Sequence, residues 1–284
     1  MTLAIISPST FTDNSLPLFP FESVAGTLLH VEPARSASIV GVPASGAILP
    51  DLSGWLAEAG AELRYANMAG SVGLLERTAK GGIHAIKTLT NQFAHVGIIL
   101  NAAVIQYILE NISHAFFFSV HGRITRAGTS GNDAHFSTSF STTPGTSQLL
   151  VASMADANTY PSTAALKGAK KYPLTSVVSP AAPTPLYAAA GVQGYTGAIT
   201  KTAADAVANR LASMFNVGSS GPFNPGNAGA ASKVFYRLLI EDMTVSGRDF
   251  AALSAMDYSF FEEEVLNVGG RYHGDTHTAP STLP

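Results

Sequence analysis

The chain has no cysteine, a single tryptophan and few charged residues for its length of 284 residues. Without cysteine there can be no disulfide, no thiolate metal site and no cysteine nucleophile. Charged side chains make up 12% of the sequence, about half of the roughly 25% that is typical of soluble domains. The formal net charge of -3 provides no basic surface, so we expect no nucleic-acid partner.

Long hydrophobic runs are missing as well. The most apolar stretch, GIILNAAVIQYIL, is too short and too polar to cross a membrane, so we expect no membrane insertion. The first ten residues, MTLAIISPST, contain neither Lys nor Arg, and we therefore expect no secretory signal. Few charges on a protein outside the membrane indicate a surface that neighbouring subunits cover.

The clearest pattern that is present is the alternation of β-strands. Strands are predicted over residues 82–89, 95–100, 114–126, 147–154 and 233–240. In the third of these, HAFFFSVHGRITR, Phe116 and Phe118 face one side, while Ser119, His121 and Arg123 face the other. One apolar and one polar face are typical of a strand in a two-layer sandwich.

The last predicted strand, KVFYRLLIED, alternates as far as Ile240 and then changes phase. A change of phase sends side chains to the opposite face, so we expect a bulge or bend near residues 241–242. Helices are predicted over residues 101–111, over residues 202–216 and directly after Asp249, which can cap the helix that it precedes.

Together these elements predict a mainly β fold. We expect an antiparallel β-sandwich, jelly-roll-like, with two or three short covering helices and long loops. The predicted organisation is an extended N-terminal arm and loop-rich segment over residues 1–79, a β-sandwich domain over 80–270 and an extended C-terminal tail over 271–284. Proline recurs through residues 1–50 and 159–197, and we expect other chains to cover apolar surface on both segments.

No residue pattern predicts catalysis. The sequence contains no GxSxG nucleophile elbow and no phosphate-binding loop. Glu241 and Asp242 are adjacent on a strand and point to opposite faces, which is unsuitable for a pair of glycosidase carboxylates. We therefore predict a protein that is not an enzyme, with no catalytic residue and no cofactor.

The tail contains the one crowded set of metal-ligand residue types, His273, Asp275 and His277. Alternate residues of an extended segment share a face, so all three side chains could reach one cation. The alternative is a solvated tail, because the flanking residues are proline and threonine and no fourth ligand can be assigned. We favour the tail and predict no metal site.

Three residues are candidates for contact with a ligand or partner. Trp55 could stack on a sugar, although the flanking Leu52 and Leu56 favour a place in the core. His121 and Arg123 project from the polar face of their strand and could meet a ligand or partner. The alternative for these two is hydrogen bonding within the sandwich or to a neighbouring subunit.

The segments HAFFFSVHGRITR and KVFYRLLIEDMTVSGRDFAALSAMDYSFF together resemble the framework of concanavalin-type and laminin-G-like sandwich domains. In that framework an early core strand pairs with a late strand that leads into a short helix. The late segment and the tail GGRYHGDTHT are also similar to structural proteins of tailed-bacteriophage virions. The resemblance covers residues 80 to 280, and no paired Asp/Asn ligands for calcium accompany it.

The resemblance implies a non-enzymatic structural component of a phage virion, made in the host cytoplasm. The expected position is the tail or baseplate, with a role in fibre anchoring or receptor binding. A capsid or neck decoration protein and a carbohydrate-binding module are the alternatives. The implied partners are copies of the same chain, other virion proteins and a host surface glycan.

Overall fold

A computed structural model describes residues 23–129, 134–140, 150–155, 159–160, 184–193, 211–217 and 229–283. Thirteen strands are assigned within these residues, and all strand pairs are antiparallel. They form two sheets, one of six strands and one of seven. The predicted antiparallel β-sandwich is confirmed.

The six-stranded sheet, sheet A, is ordered β11-β7-β13-β5-β4, and β1 also pairs with β13. Its strands are β1 (Thr27–Val31), β4 (Gly73–Arg77), β5 (Ile83–Lys87), β7 (Ala115–Arg126), β11 (Thr184–Gln193) and β13 (Ser232–Asp242). Sheet B is ordered β10-β9-β8-β12-β6-β3-β2. Its strands are β2 (Ala47–Pro50), β3 (Gly60–Ala66), β6 (His95–Leu100), β8 (Ala134–Phe140), β9 (Leu150–Ala155), β10 (Thr159–Tyr160) and β12 (Leu211–Val217).

Eight of these strands pair in a nested order along the chain. The first, β1, pairs with the last, β13; then β6 pairs with β12, β7 with β11, and β8 with β9. This is the pairing of one long hairpin rolled up into two sheets, which is the jelly roll. Of the other five strands, β2 to β5 are inserted between β1 and β6 and extend sheet B and the far end of sheet A, while β10 extends sheet B beyond β9.

The N-terminal part of the chain differs from the sequence prediction. Residues 27–77, assigned above to an arm and a loop-rich segment, contain four strands that belong to both sheets. These strands are four to seven residues long and are separated by turns, so no single one provides enough periodicity to be recognised. Residues 1–22 lie outside the described part of the chain.

The bulge or bend expected near residues 241–242 is present, because the register of β13 against β1 shifts between Ile240 and Glu241 and the strand ends at Asp242. Against β7, the register also shifts between Phe235 and Arg237. Tyr236 packs in an apolar cluster on the outer face of sheet A, and Arg237 is buried on the same face. The phase change after Ile240 coincides with the end of the strand, because a helical turn begins at the residue after Asp242.

In the described part of the chain three α-helices accompany the sheets: α1 (Ala102–Glu110), α2 (Met243–Ser246) and α3 (Phe250–Phe261). The predicted caps are confirmed, because Asn101 accepts a hydrogen bond from the Val104 amide and Asp249 accepts one from the Ala252 amide. The helix predicted over 202–216 is wrong over residues 211–216, which form β12 between β6 and β8. Pairing on both sides outweighed the helical spacing there.

Apolar side chains are buried on both faces of sheet A. Phe116 and Phe118 of β7 lie in the inner core between the sheets, against which α1 also packs. Phe117 lies on the outer face, in a second cluster with residues of α3 and of the segment that follows it. Residues 249–283, which we call the C-terminal cover, therefore give the outer face of sheet A a core of its own.

Candidate functional site

The outer face of sheet A carries a buried row of polar side chains. Register places Arg237 of β13 opposite His121 of β7, and His30 of β1 opposite the residue two positions further along β13. All three side chains are almost completely buried. In most two-layer sandwiches such a face meets water, but here the C-terminal cover closes it.

Asp257 of α3 is the group by which the cover meets this row. Its Oδ1 accepts a hydrogen bond from Arg237 Nη1, and its Oδ2 lies 3.1 Å from His121 Nε2. Burial alone would raise the pKa of Asp257, but the charge of Arg237 and the hydrogen bonds with His121 and Arg237 hold it well below its usual range. The Arg237 guanidinium also lies over the ring of Phe260, 4.6 Å from its centroid.

A second carboxylate, Glu32, extends the row towards the edge of the sheet. It is fully buried, accepts a hydrogen bond from the Tyr272 hydroxyl at 2.8 Å and lies 2.8 Å from Arg35 Nε. Burial alone would raise the pKa of Glu32, but the hydrogen bond with His30 and the charge of Arg35 lower it to about 2. Arg35 in turn donates to Glu264 at 2.8 Å, so the cover is bound at this point as well.

The geometry fixes the protonation state of His30. Arg237 Nε lies 3.1 Å from His30 Nε2, and a guanidinium nitrogen can only donate. His30 Nε2 must therefore accept, which requires a neutral ring. Burial, with the charge of Arg237 acting in the same direction, lowers the pKa of His30.

His121 is neutral because it is buried beside an ion pair that is already balanced. Its Nε2 lies 3.2 Å from Arg237 Nη1 and 3.1 Å from Asp257 Oδ2, and a second proton on the ring would add an uncompensated charge to that buried site. Burial lowers the pKa of His121 although the Asp257 carboxylate opposes that shift, and Arg237 lowers it further. The rings of Tyr187 and Phe261 surround it, with centroids 5.4 and 5.3 Å away.

A third histidine lies under the tail of the cover. His84 of β5 donates from Nδ1 to Glu76 Oε1 at 2.8 Å, and its Nε2 lies 2.9 Å from the Thr125 hydroxyl. Burial lowers the pKa of His84 to about 4. Glu76 also accepts from the amide and the hydroxyl of Thr278, both at 2.8 Å, and the His277 ring lies 4.4 Å from that of His84.

These contacts fasten the cover to the outer face of sheet A. Arg237 is bonded to His30, His121 and Asp257, and the rings of Tyr187, Phe260 and Phe261 enclose His121. What the arrangement can do chemically is to hold one specific docking of the cover on the sheet. It can also respond to protonation, because each added proton would bring an uncompensated charge into a buried site.

The structure separates the three candidates for ligand or partner contact. Trp55 is half-buried, packs against the inner core and meets Tyr107 edge to face at 5.5 Å. His121 is buried and hydrogen-bonded within the chain, which was the alternative to contact with a ligand or partner. Arg123 is half-buried on the outer face, near Tyr236. Burial and the charge of Asp275 raise the pKa of Tyr236, and the charge of Arg123 acts in the opposite direction.

The predicted metal-ligand types in the tail have separate roles. Asp275 is buried and accepts from the Lys80 amide at 2.8 Å, while His277 packs on His84. The carbonyl of His273, not its ring, accepts a hydrogen bond from Lys80 Nζ at 2.5 Å. Among the described residues, no group of three or more His, Asp or Glu side chains is placed to hold a metal ion.

Two further features complete the polar inventory. Asp242 is buried at the end of β13, where it accepts from the Tyr107 hydroxyl at 2.9 Å and lies 2.6 Å from His114 Nδ1. A cavity of about 310 Å³ opens where α2 meets α3, and Arg248 lines it. That arginine is paired with Glu241, so its charge is already neutralised at the cavity wall.

Sequence reasoning missed most of this site. His30 and Glu32 lay in the presumed arm, and Asp257 lay in a predicted helix with no sign of burial. One signal was available in the sequence. Because charged residues are scarce, Arg237 stands out within the clearly predicted strand over residues 233–240. Across the described residues no helix is both long and apolar enough to span a membrane. The sequence matches no protein-family model, and no curated protein shows significant similarity to it.

Proposed function

We propose that the protein is a non-enzymatic structural subunit of a virus particle that assembles in several copies. The observation that carries the proposal is the nested eight-strand jelly roll, an architecture used by viral capsid subunits and also by lectins and cupins. Fold alone does not determine function, so the choice among these uses depends on the surface and the site.

The distribution of charge favours assembly. Eight of the charged residues are buried in the folded chain: Glu32, Lys87, Lys233, Arg237, Glu241, Asp242, Asp257 and Asp275. The rest of the chain is about as poor in charge as the 12% of the whole sequence indicates. A surface poor in charge is typical of subunits covered by neighbours.

Within a phage particle, the jelly roll favours a position in the capsid shell, or as a decoration protein of the capsid or neck, over a position in the tail or baseplate. Fibre anchoring or receptor binding at the tail remains the second placement. A free carbohydrate-binding module is the rival from another class. The half-buried, core-packed Trp55 offers that module little of the open aromatic platform on which sugars stack.

Light scattering after size exclusion, together with electron microscopy, tests the proposal. We expect closed or ring-shaped assemblies whose fraction increases with protein concentration. A monomer at every concentration up to about the millimolar range would contradict the proposal and favour the free module.

The N-terminal segment sharpens that test. Because Thr27–Val31 forms β1, only residues 1–22 can be removed without cutting into sheet A. We expect their deletion to reduce assembly more than thermal stability, and replacement by a Gly/Ser segment of equal length serves as the control. Normal assembly of both variants would show that residues 1–22 make no intersubunit contact.

A further inference from the structure

We propose that the C-terminal cover, residues 249–283, is a latch that acid releases from the outer face of sheet A. The cover docks only while three histidines beneath it, His30, His84 and His121, remain neutral. Each comes from a different strand: β1, β5 and β7, respectively. The inference rests on this geometry and does not depend on the proposed function.

The cover is one continuous segment with a defined starting point. It follows α2, which ends at Gly247 with a φ of 70°, a left-handed conformation that favours glycine. From there α3, the turn Glu262–Leu266 and the tail pass over the sheet. The last turn of the chain, Pro280–Thr282, is held by Arg126, which donates to the Pro280 carbonyl at 3.0 Å.

Burial opposes a second proton on each histidine. The His30 Nε2 faces Arg237 Nε at 3.1 Å and Glu32 at 3.6 Å, and the Asp51 carboxylate is bonded to the His30 backbone amide. The His121 Nε2 faces Arg237 and Asp257, and aromatic rings enclose the imidazole. Arg237 adds to the effect of burial at both rings, and the carboxylates beside them oppose it without reversing it.

His84 has different surroundings but the same requirement. Glu76 occupies its Nδ1 and the Thr125 hydroxyl its Nε2, while His277 and Asp275 of the cover lie on the open side and act on its charge in opposite directions. Burial lowers the pKa of His84 more than the Glu76 and Asp275 carboxylates raise it, so the His84 ring remains neutral. Opening the cover would return all three rings to water.

The arithmetic of protonation gives the expected size of the effect. A histidine that is solvated only in the open form, with an ordinary pKa of about 6.5, binds a proton there at pH 5.5. Its protonation multiplies the equilibrium constant for opening by about ten at pH 5.5 and hardly changes it at pH 7.5. The sign follows from the lowered native pKa values: the open form binds more protons, so acid shifts the balance towards it. Three histidines together shift the opening equilibrium by up to about 10³-fold.

Amide hydrogen exchange at pH 7.5 and 5.5, corrected for the intrinsic rates, tests the latch in the full chain. Amides of α3 are compared with those of β6, which lies inside sheet B. We expect α3 to exchange faster than β6 at both pH values, and its protection to fall by up to about 10³-fold on acidification. Equal protection of α3 and β6 at both pH values, or no acid effect on α3, would overturn the proposal.

Glutamine variants identify the groups responsible. In His30→Gln combined with His121→Gln, each amide can both donate and accept but cannot titrate, so the acid effect should shrink to about ten-fold. His273→Gln is the matched control on the cover, since the His273 hydrogen bonds are made by its backbone carbonyl and amide, and it should retain the full effect. If the double variant does not fold, the comparison of α3 with β6 in the unmodified protein still decides.

Discussion

Both faces of sheet A are buried, but they are held in different ways. Among the described residues, the inner face packs against sheet B mainly through apolar side chains, such as Phe118, Leu238 and Ile240. The outer face mixes an apolar cluster with Arg237, Asp257 and neutral histidines. Apolar burial tolerates small changes of geometry, whereas the charged row fits only when every partner is in place. The outer face is therefore the part of the molecule that can respond to pH.

The largest expected effect comes from removing the charge at the centre of the outer face. Arg237→Met leaves Asp257 buried without its main partner, and we expect a loss of about 3–5 kcal/mol in the free energy of unfolding. Denaturant titration at pH 7.5 measures it. A loss below about 1 kcal/mol would mean that the row does not hold the cover.

A double variant separates the charge from the volume that it fills. When Arg237→Met is combined with Asp257→Leu, no carboxylate is left unpaired at that site, so the combined loss should be smaller than that of Arg237→Met alone. An additive loss in the double variant would argue that packing, not charge pairing, dominates at this point.

The neighbouring position provides the matched variant for the inner face. Leu238 follows Arg237 on β13 but points into the core between the sheets. We expect Leu238→Ala to cost about 2–4 kcal/mol through lost burial and a cavity. That loss should be nearly the same at pH 7.5 and pH 5.5, because no titratable group lies in the cluster. A clear pH dependence of the loss would contradict the distinction between the two faces.

The sequence predicted the elements whose signal is local. The alternation in β7 and the caps Asn101 and Asp249 depend on residues within a few positions of one another, and the structure confirms them. The helix predicted over 202–216 failed over residues 211–216 because strand pairing with β6 and β8 is a long-range effect. The register shift between Phe235 and Arg237 was not predicted, because the alternation in the sequence runs unbroken through these residues.

The site was beyond such reasoning for a related reason. Arg237 lies 207 residues from His30 and 116 from His121, and only the register of β1, β13 and β7 brings them together. A polar residue on a strand predicts a solvated face unless something covers it. Nothing in the sequence of α3 indicated that Asp257 would close that face. The cover is therefore the feature that separates the observed outer face from the expected one.

The central claim is that the three histidines under the cover are neutral in the folded protein at physiological pH and well below it. Histidine C2-hydrogen exchange, followed by mass spectrometry across a pH series and compared with the urea-unfolded chain, measures this for each residue. The account predicts that His30 and His121 do not titrate between pH 7.5 and 5.5 in the native protein, and that the pKa of His84 is about 4. Titration of His30 or His121 near pH 6.5, with the protein still folded and the cover still protected, would contradict it.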